Sequence, residues 1–277
     1  MAQAILLLGI VTLIGGPAFY FLVLRPKWRE SRRRRLVSMP FPSEWESVLQ
    51  NDVPLYNRLP EPLKIQLRGL IRVFLDEKNF EGCGGLEIND RIRVCVAAQA
   101  CVLLLNRKTD YYRKLGSILV YPHTYVAETS VSVDMQTIQE EVFRCGESWS
   151  FGTVVLAWDH VSHGARDIHD GHNVVLHEFA HQLDQEDGVA DGTPLLGQRS
   201  NYVTWARILG AEYAELQRKV GLHRRDVLDE YGATNPAEFF AVATEAFFEN
   251  PKQLKKKHPD LYDELMNFYK LDPSQWL

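Results

Sequence analysis

Apolar positions recur at helical spacing in "PEPLKIQLRGLIRVFLDEKNF", where Leu63, Leu67, Leu70, Ile71 and Phe74 share one side. This predicts an amphipathic helix from about residue 61 to 78. "EGCGG" interrupts the pattern. The next run, "DRIRVCVAAQACVLLLN", is apolar on most sides and too long for a strand, which predicts a buried helix. Three short β-branched or aromatic runs bounded by turn residues follow: "SILVYP" (117–122), "TYVAE" (124–128) and "GTVVLAW" (152–158). They predict a small sheet. From about residue 171 onward the pattern is mostly helical. Strands grouped ahead of helices, with no internal repeat, indicate an α+β fold rather than an alternating βαβ one. "GTVVLAW" reads either as an ordinary strand or as an edge strand on which an extended substrate would add.

Ahead of these elements the pattern changes. "AILLLGIVTLIGGPAFYFLVL", Ala4 to Leu24, contains no charge and has the length a membrane-spanning helix needs. No Lys or Arg precedes it and bulky residues continue to its end, which favours a retained anchor over a cleaved signal peptide. "RPKWRESRRRR", Arg25 to Arg35, then carries seven basic residues and one acidic one. Basic flanks stay in the cytoplasm. The expectation is a single-pass protein of the inner (cytoplasmic) membrane with its bulk in the cytoplasm, divided into a transmembrane anchor (1–24), a basic juxtamembrane linker (25–42) and a folded domain (43–277).

Charge sharpens this division. The chain has 277 residues, with 31 Lys+Arg against 36 Asp+Glu. Outside Arg25–Arg35, 24 basic and 35 acidic residues remain, a net of −11. Such a domain repels phosphates, which argues against direct nucleic-acid binding. Cys83, Cys95, Cys101 and Cys145 form no CxxC pair, which argues against a zinc ribbon, and a reducing compartment is expected.

Candidate chemistry sits in "NVVLHEFAHQLD". Asn173 is placed as an N-cap. Leu176, Phe179, Ala180 and Leu183 form a core-facing stripe, while His177, His181 and Asp184 form another. Residues four apart lie one above the other on a helix, so both imidazoles can hold one Zn2+, with Glu178 beside it as a base acting on water. A catalytic zinc needs a third protein ligand. "YGATNPAEFFAVATEAFFEN" supplies a candidate in Glu238, at the third position of a buried helix capped by Asn235 and started by Pro236. The same spacing, Asn235-x-x-Glu238, also fits a capping box, in which Glu238 would bond only the cap backbone. His160, His163, His169 and His172 crowd the preceding segment without ligand spacing and read as a polar loop near the cleft, with a second metal site as the alternative.

"HEFAH" followed by "YGATNPAEFFA" resembles the Mlc titration factor A (MtfA) family of zinc peptidases, and the pair of motifs is similar to the catalytic domain of anthrax lethal factor. The resemblance covers about residues 40–277. It implies a mostly helical, zincin-like domain with one Zn2+ on His177, His181 and Glu238, Glu178 as the base, and Tyr231 as the group that stabilises the oxyanion. It further implies peptidase or aminopeptidase activity on small substrates. A rival implication is a membrane-tethered regulator that binds and sequesters a transcriptional repressor of glucose uptake. One position departs from the pattern: where lethal factor has an acidic residue four positions after the ligand glutamate, this chain has Val242. Asp184 and Glu245 are the candidates for orienting a metal-bound imidazole in its place.

Overall fold

A computed structural model describes residues 20–123, 125–133, 136–144, 146–149 and 152–276, with the backbone alone described over 125–149. The chain separates into two compact units, Met1–Phe41 and Pro42–Leu277.

In the first unit a π-helical turn, Tyr20–Leu24, runs into helix α1, Arg25–Ser38. Leu24 itself has helical dihedrals, so the backbone continues without a cap. The span expected over Ala4–Leu24 lies outside the described residues apart from Tyr20–Leu24. Among the described residues no helix is long and apolar enough to cross a membrane. About 20 consecutive apolar residues are needed, and the helix that follows the described apolar turn, Arg25–Ser38, is rich in arginine. The expected inner-membrane placement is therefore corrected.

The second unit begins with α2 (Ser43–Asp52), α3 (Pro54–Arg58) and α4 (Glu61–Glu77). The stripe predicted for α4 is its buried face: Leu67, Leu70, Ile71 and Phe74 are all nearly inaccessible. Strand β1 (Asn79–Gly82) leads to α5 (Asp90–Val102), where Val94 to Val102 are buried without interruption, as its all-apolar pattern predicts. Then follow β2 (Ser117–Tyr121), β3 (Tyr125–Val133), β4 (Gln136–Arg144), β5 (Gly146–Trp149) and β6 (Thr153–Ala157). The remainder is helical: α6 (Trp158–Arg166), α7 (Val174–Asp184), α8 (Arg199–Gly221), α9 (Pro236–Glu249), α10 (Pro251–Lys257) and α11 (Pro259–Tyr269). The architecture is α+β and mostly helical.

The sheet has the order β1-β2-β6-β5. β1 and β2 run parallel through Asn79↔Ser117, and β2 and β6 run parallel through Ser117↔Thr153. β5 is antiparallel to β6, with Gly146 opposite Leu156. β3 and β4 form a separate antiparallel hairpin. This settles the alternatives for "GTVVLAW": β6 is an inner strand, and the edge beside it is β5, which packs against α7.

Two aromatic clusters fix the helices around α7. Phe179 meets Tyr112 at 4.9 Å and Phe74 at 5.7 Å between ring centroids. On α9, Phe240 packs on Trp205 and Phe268, and Phe247 on Tyr262 and Tyr269. Side chains of this size contribute on the order of 2–3 kcal/mol each when fully buried. They leave α7 little freedom to rotate, so its histidine face is set by its apolar one.

Candidate metal centre

The local sequence builds α7 from its cap. The Asn173 carbonyl oxygen Oδ1 accepts from the backbone N–H groups of Val175 and Leu176 at 3.1 and 3.0 Å. Leu176, Phe179, Ala180 and Leu183 are buried to within 1% of complete. The opposite turn of the helix then carries His177 and His181 side by side, their Nε2 atoms 3.2 Å apart.

The third group comes from α9. Asn235 caps it by accepting from the Glu238 backbone N–H at 3.0 Å, and Pro236 occupies the first helical position, as predicted. The Glu238 carboxylate does not turn back to the cap. Its Oε2 lies 2.9 Å from His177 Nε2 and 3.3 Å from His181 Nε2. The structure thus brings His177, His181 and Glu238 together, and the capping-box alternative does not describe the side chain.

These three atoms fit a metal ion. Ligand atoms about 2.0 Å from a tetrahedral centre stand about 3.3 Å from one another, and the edges observed are 2.9, 3.2 and 3.3 Å. Their charges fit as well. Burial works to lower the pKa of His177, but hydrogen bonds to Glu238 and Glu245 and the charges of Glu245 and Glu178 raise it to about 10. Burial works to raise that of Glu238, and its bonds to both imidazoles bring it down to about 2. Three carboxylates around two imidazoles form a pocket of negative potential that a dication satisfies.

The remaining predicted residues separate into those near the triad and those apart from it. Glu178 is buried one position after His177. Tyr231 lies on a 3-10 turn, Glu230–Ala233, started by Asp229, whose Oδ1 accepts from the Tyr231 N–H at 2.8 Å. Its ring is 6.0 Å from that of His177. Burial and the charges of Glu238 and Glu178 raise its pKa. Glu245 stands behind His177, its Oε1 2.7 Å from Nδ1, and so takes the place that Val242 leaves without a carboxylate. Asp184 does not bond a histidine. It is completely buried and its Oδ2 accepts from the Gly192 N–H at 2.9 Å, so it anchors the loop after α7.

His163 approaches Asp170 at 3.2 Å and Arg58 approaches His169 at 3.4 Å, on the surface. His163, Asp167 and Asp170 converge closely enough for a cation but are all exposed. A surface depression lined by Arg58, Ser162, His163 and Arg166 shares no residue with the triad. The polar residues that the sequence reading passed over are Gln99 and Glu249, both buried against Asn173. Two acids four apart in an apolar helix, Glu245 and Glu249, were the available signal.

Residues 27–270 match the model of the glucose-regulated metallo-peptidase M90 family. The chain is 39% identical over 270 residues to an uncharacterised protein of Synechocystis sp., covering 97% of this chain and 95% of the relative. It is 29% identical over 260 residues to Mlc titration factor A of Escherichia coli, covering 90% and 92% of the two chains. It is also 29% identical over 255 residues to Mlc titration factor A of Cronobacter sakazakii, covering 89% and 91%. The chain belongs to the glucose-regulated metallo-peptidase M90 family, in agreement with the resemblance read from its motifs.

Proposed function

We propose that this M90 family member is a zinc-dependent peptidase whose catalytic domain is residues 43–277 and whose metal is held by His177, His181 and Glu238. The observation that carries the reading is the triangle of two Nε2 atoms and one carboxylate oxygen, with edges of 2.9, 3.2 and 3.3 Å. Bound zinc supplies a Lewis acid and brings the pKa of water towards neutrality. Glu178 accepts the proton of the attacking water as its oxygen bonds to the peptide carbonyl carbon. The Tyr231 hydroxyl donates to the oxyanion that develops there. Glu178 then returns the proton to the amide nitrogen as the C–N bond breaks. Glu245 holds the His177 ring by Nδ1 throughout.

Glu178→Gln in the full chain tests this. The variant should keep its zinc and its fold and lose about 10²–10⁴-fold in peptide hydrolysis, the usual contribution of a general base. Unchanged cleavage by a zinc-loaded variant would refute the mechanism. Aminopeptidase action is the finer form of the reading, and it rests on the resemblance of the two motifs. Comparing a peptide with its N-acetylated counterpart distinguishes it: an aminopeptidase cleaves only the free amine.

A second reading is regulation by binding. Relatives bear the name Mlc titration factor A, and on that footing this chain would sequester a transcriptional repressor without cutting it. The net charge of −11 outside Arg25–Arg35 suits a basic partner. Tight, zinc-independent binding of such a repressor by a chain that cleaves no peptide would favour this reading over the first.

A further inference from the structure

Asn173 makes more bonds than a helix cap requires. Capping needs only a side-chain oxygen, which Ser, Thr or Asp supply equally well. Asn173 also uses its amide nitrogen, which those residues lack. Nδ2 lies 2.9 Å from Gln99 Oε1 on α5, 3.0 Å from Gly164 O at the end of α6 and 3.0 Å from Glu249 Oε1 on α9. Its backbone N–H donates to Glu245 Oε2 at 2.6 Å, and the other oxygen of that carboxylate meets His177 Nδ1 at 2.7 Å. Gln99, Asn173, Glu245 and Glu249 are 2–6% exposed, so this is a buried polar network inside an apolar core. Space is reserved for it: a Cβ at Gly164 would stand 3.1 Å from Asn173 Cα and 3.3 Å from its Cγ.

We propose that Asn173 is a positioning residue that ties the helix bearing His177 and His181 to the helix bearing Glu238, gripping Glu245 and Glu249 one turn apart on α9 and so fixing both the His177 ring and the spacing of the three ligands. The proposal rests on the metal reading above. Buried networks of this kind are costly when partly satisfied, so their members hold a single arrangement. Groups that orient a metal-bound imidazole typically alter metal affinity 10–100-fold when removed. Glu249 acts as a neutral acceptor, because burial, reinforced by the carboxylates of Asp170 and Glu245, raises its pKa to about 9.

The test uses the full chain and five variants, one of them, Glu245→Ala, to assign a resonance. Asn173→Ser keeps the cap oxygen and the backbone N–H but removes the amide. Glu249→Leu removes the acceptor on α9 and leaves the Asn173 amide its bonds to Gln99 and Gly164, so the fold survives even where Asn173→Ser does not. Zinc affinity, read by competition with a chromogenic chelator, is expected to fall at least tenfold in each, and by no more in the double variant, since both changes cut one link. Glu249→Gln, which keeps a neutral acceptor, should restore the affinity. A metal-free readout accompanies this: the downfield imidazole N–H proton resonance that Glu245→Ala abolishes should shift in Asn173→Ser and Glu249→Leu and stay in place in Glu249→Gln. Equal zinc affinities with an unmoved resonance overturn the proposal. An unaltered chain that binds no zinc while its resonance shifts in both variants removes the metal reading and leaves the positioning role intact.

Discussion

Tyr231 stands 54% exposed beside a ring of His177 that is mostly covered. An exposed hydroxyl next to a buried triad has little structural work to do, so its removal should be felt in turnover alone. Tyr231→Phe is expected to lower kcat by about 10²–10³-fold, the cost of one oxyanion donor, with zinc content and KM little changed. Steady-state kinetics and metal analysis of the same preparation check this. At this scale the legibility of the chain was uneven. His177, Glu178 and His181 could be read from spacing, because a helix puts i and i+4 together whatever surrounds it. Glu238 could be read only as a choice between two roles, because a cap and a ligand occupy the same helical position. Asp184 shared the histidine stripe, yet its partner is the Gly192 N–H, eight residues on in a loop that no periodicity describes.

Elements place these residues, and two positions show how. Asn235 caps α9 three residues ahead of Glu238, so Asn235→Ala should cost about 1 kcal/mol of stability and also weaken zinc binding by loosening the turn that holds the third ligand. Gly192 has φ +79°, and a Cβ there would stand 2.3 Å from Pro236 O. Gly192→Ala therefore demands a shift in the backbone where α9 begins. Its Tm should fall, and its zinc affinity should fall with it. Thermal melts of the zinc-loaded and chelated forms separate the two effects. The helices of the second unit were legible because each has a face to bury. The strands were less so. β1 is four residues, Asn-Phe-Glu-Gly, with three of them exposed, and offers no alternation to read. The place of β6 inside the sheet depends on its pairing with β2, 36 residues back, which is a non-local fact.

In the molecule as a whole, the metal reading makes stability and metal coupled but separable. A zinc ion at a hundred times its Kd adds about 2.7 kcal/mol, or roughly 5–10 °C in Tm for a domain of this size. Removal by a chelator should therefore abolish hydrolysis and lower Tm by about that much without unfolding the chain at 25 °C, and zinc should restore both. A second buried charge cluster, which shares no residue with the triad, responds to acid instead. His258 lies between Glu212 at 2.6 Å and Asp226 at 2.9 Å, and Asp226 also binds Lys219. Burial works to raise the Asp226 pKa, but its bonds to Lys219 and His258 bring it from 3.8 to about 2. The stability it contributes is present above pH 3.8 and is lost as pH falls through about 2. The pKa of His258 is raised from 6.5, so its share is complete below that value and is lost as pH rises through the folded one. Asp226→Asn should cost about 3–5 kcal/mol near neutrality, and the deficit should shrink towards pH 2. Urea unfolding across pH 2–7 measures it.

The separation of the ligands along the chain has a consequence in time. Glu238 follows His177 by sixty-one positions. A growing chain that has emerged as far as α8 presents two imidazoles and no third ligand, and a bond-cutting centre cannot assemble on it. The three groups can come together only once α9, which carries Glu238 and follows the sheet and α5 in the chain, has been made and has docked. On the metal reading, a chain that stalls or is clipped before α9 lacks Glu238 and should be inert, so the same long-range closure keeps unfinished copies from carrying the centre.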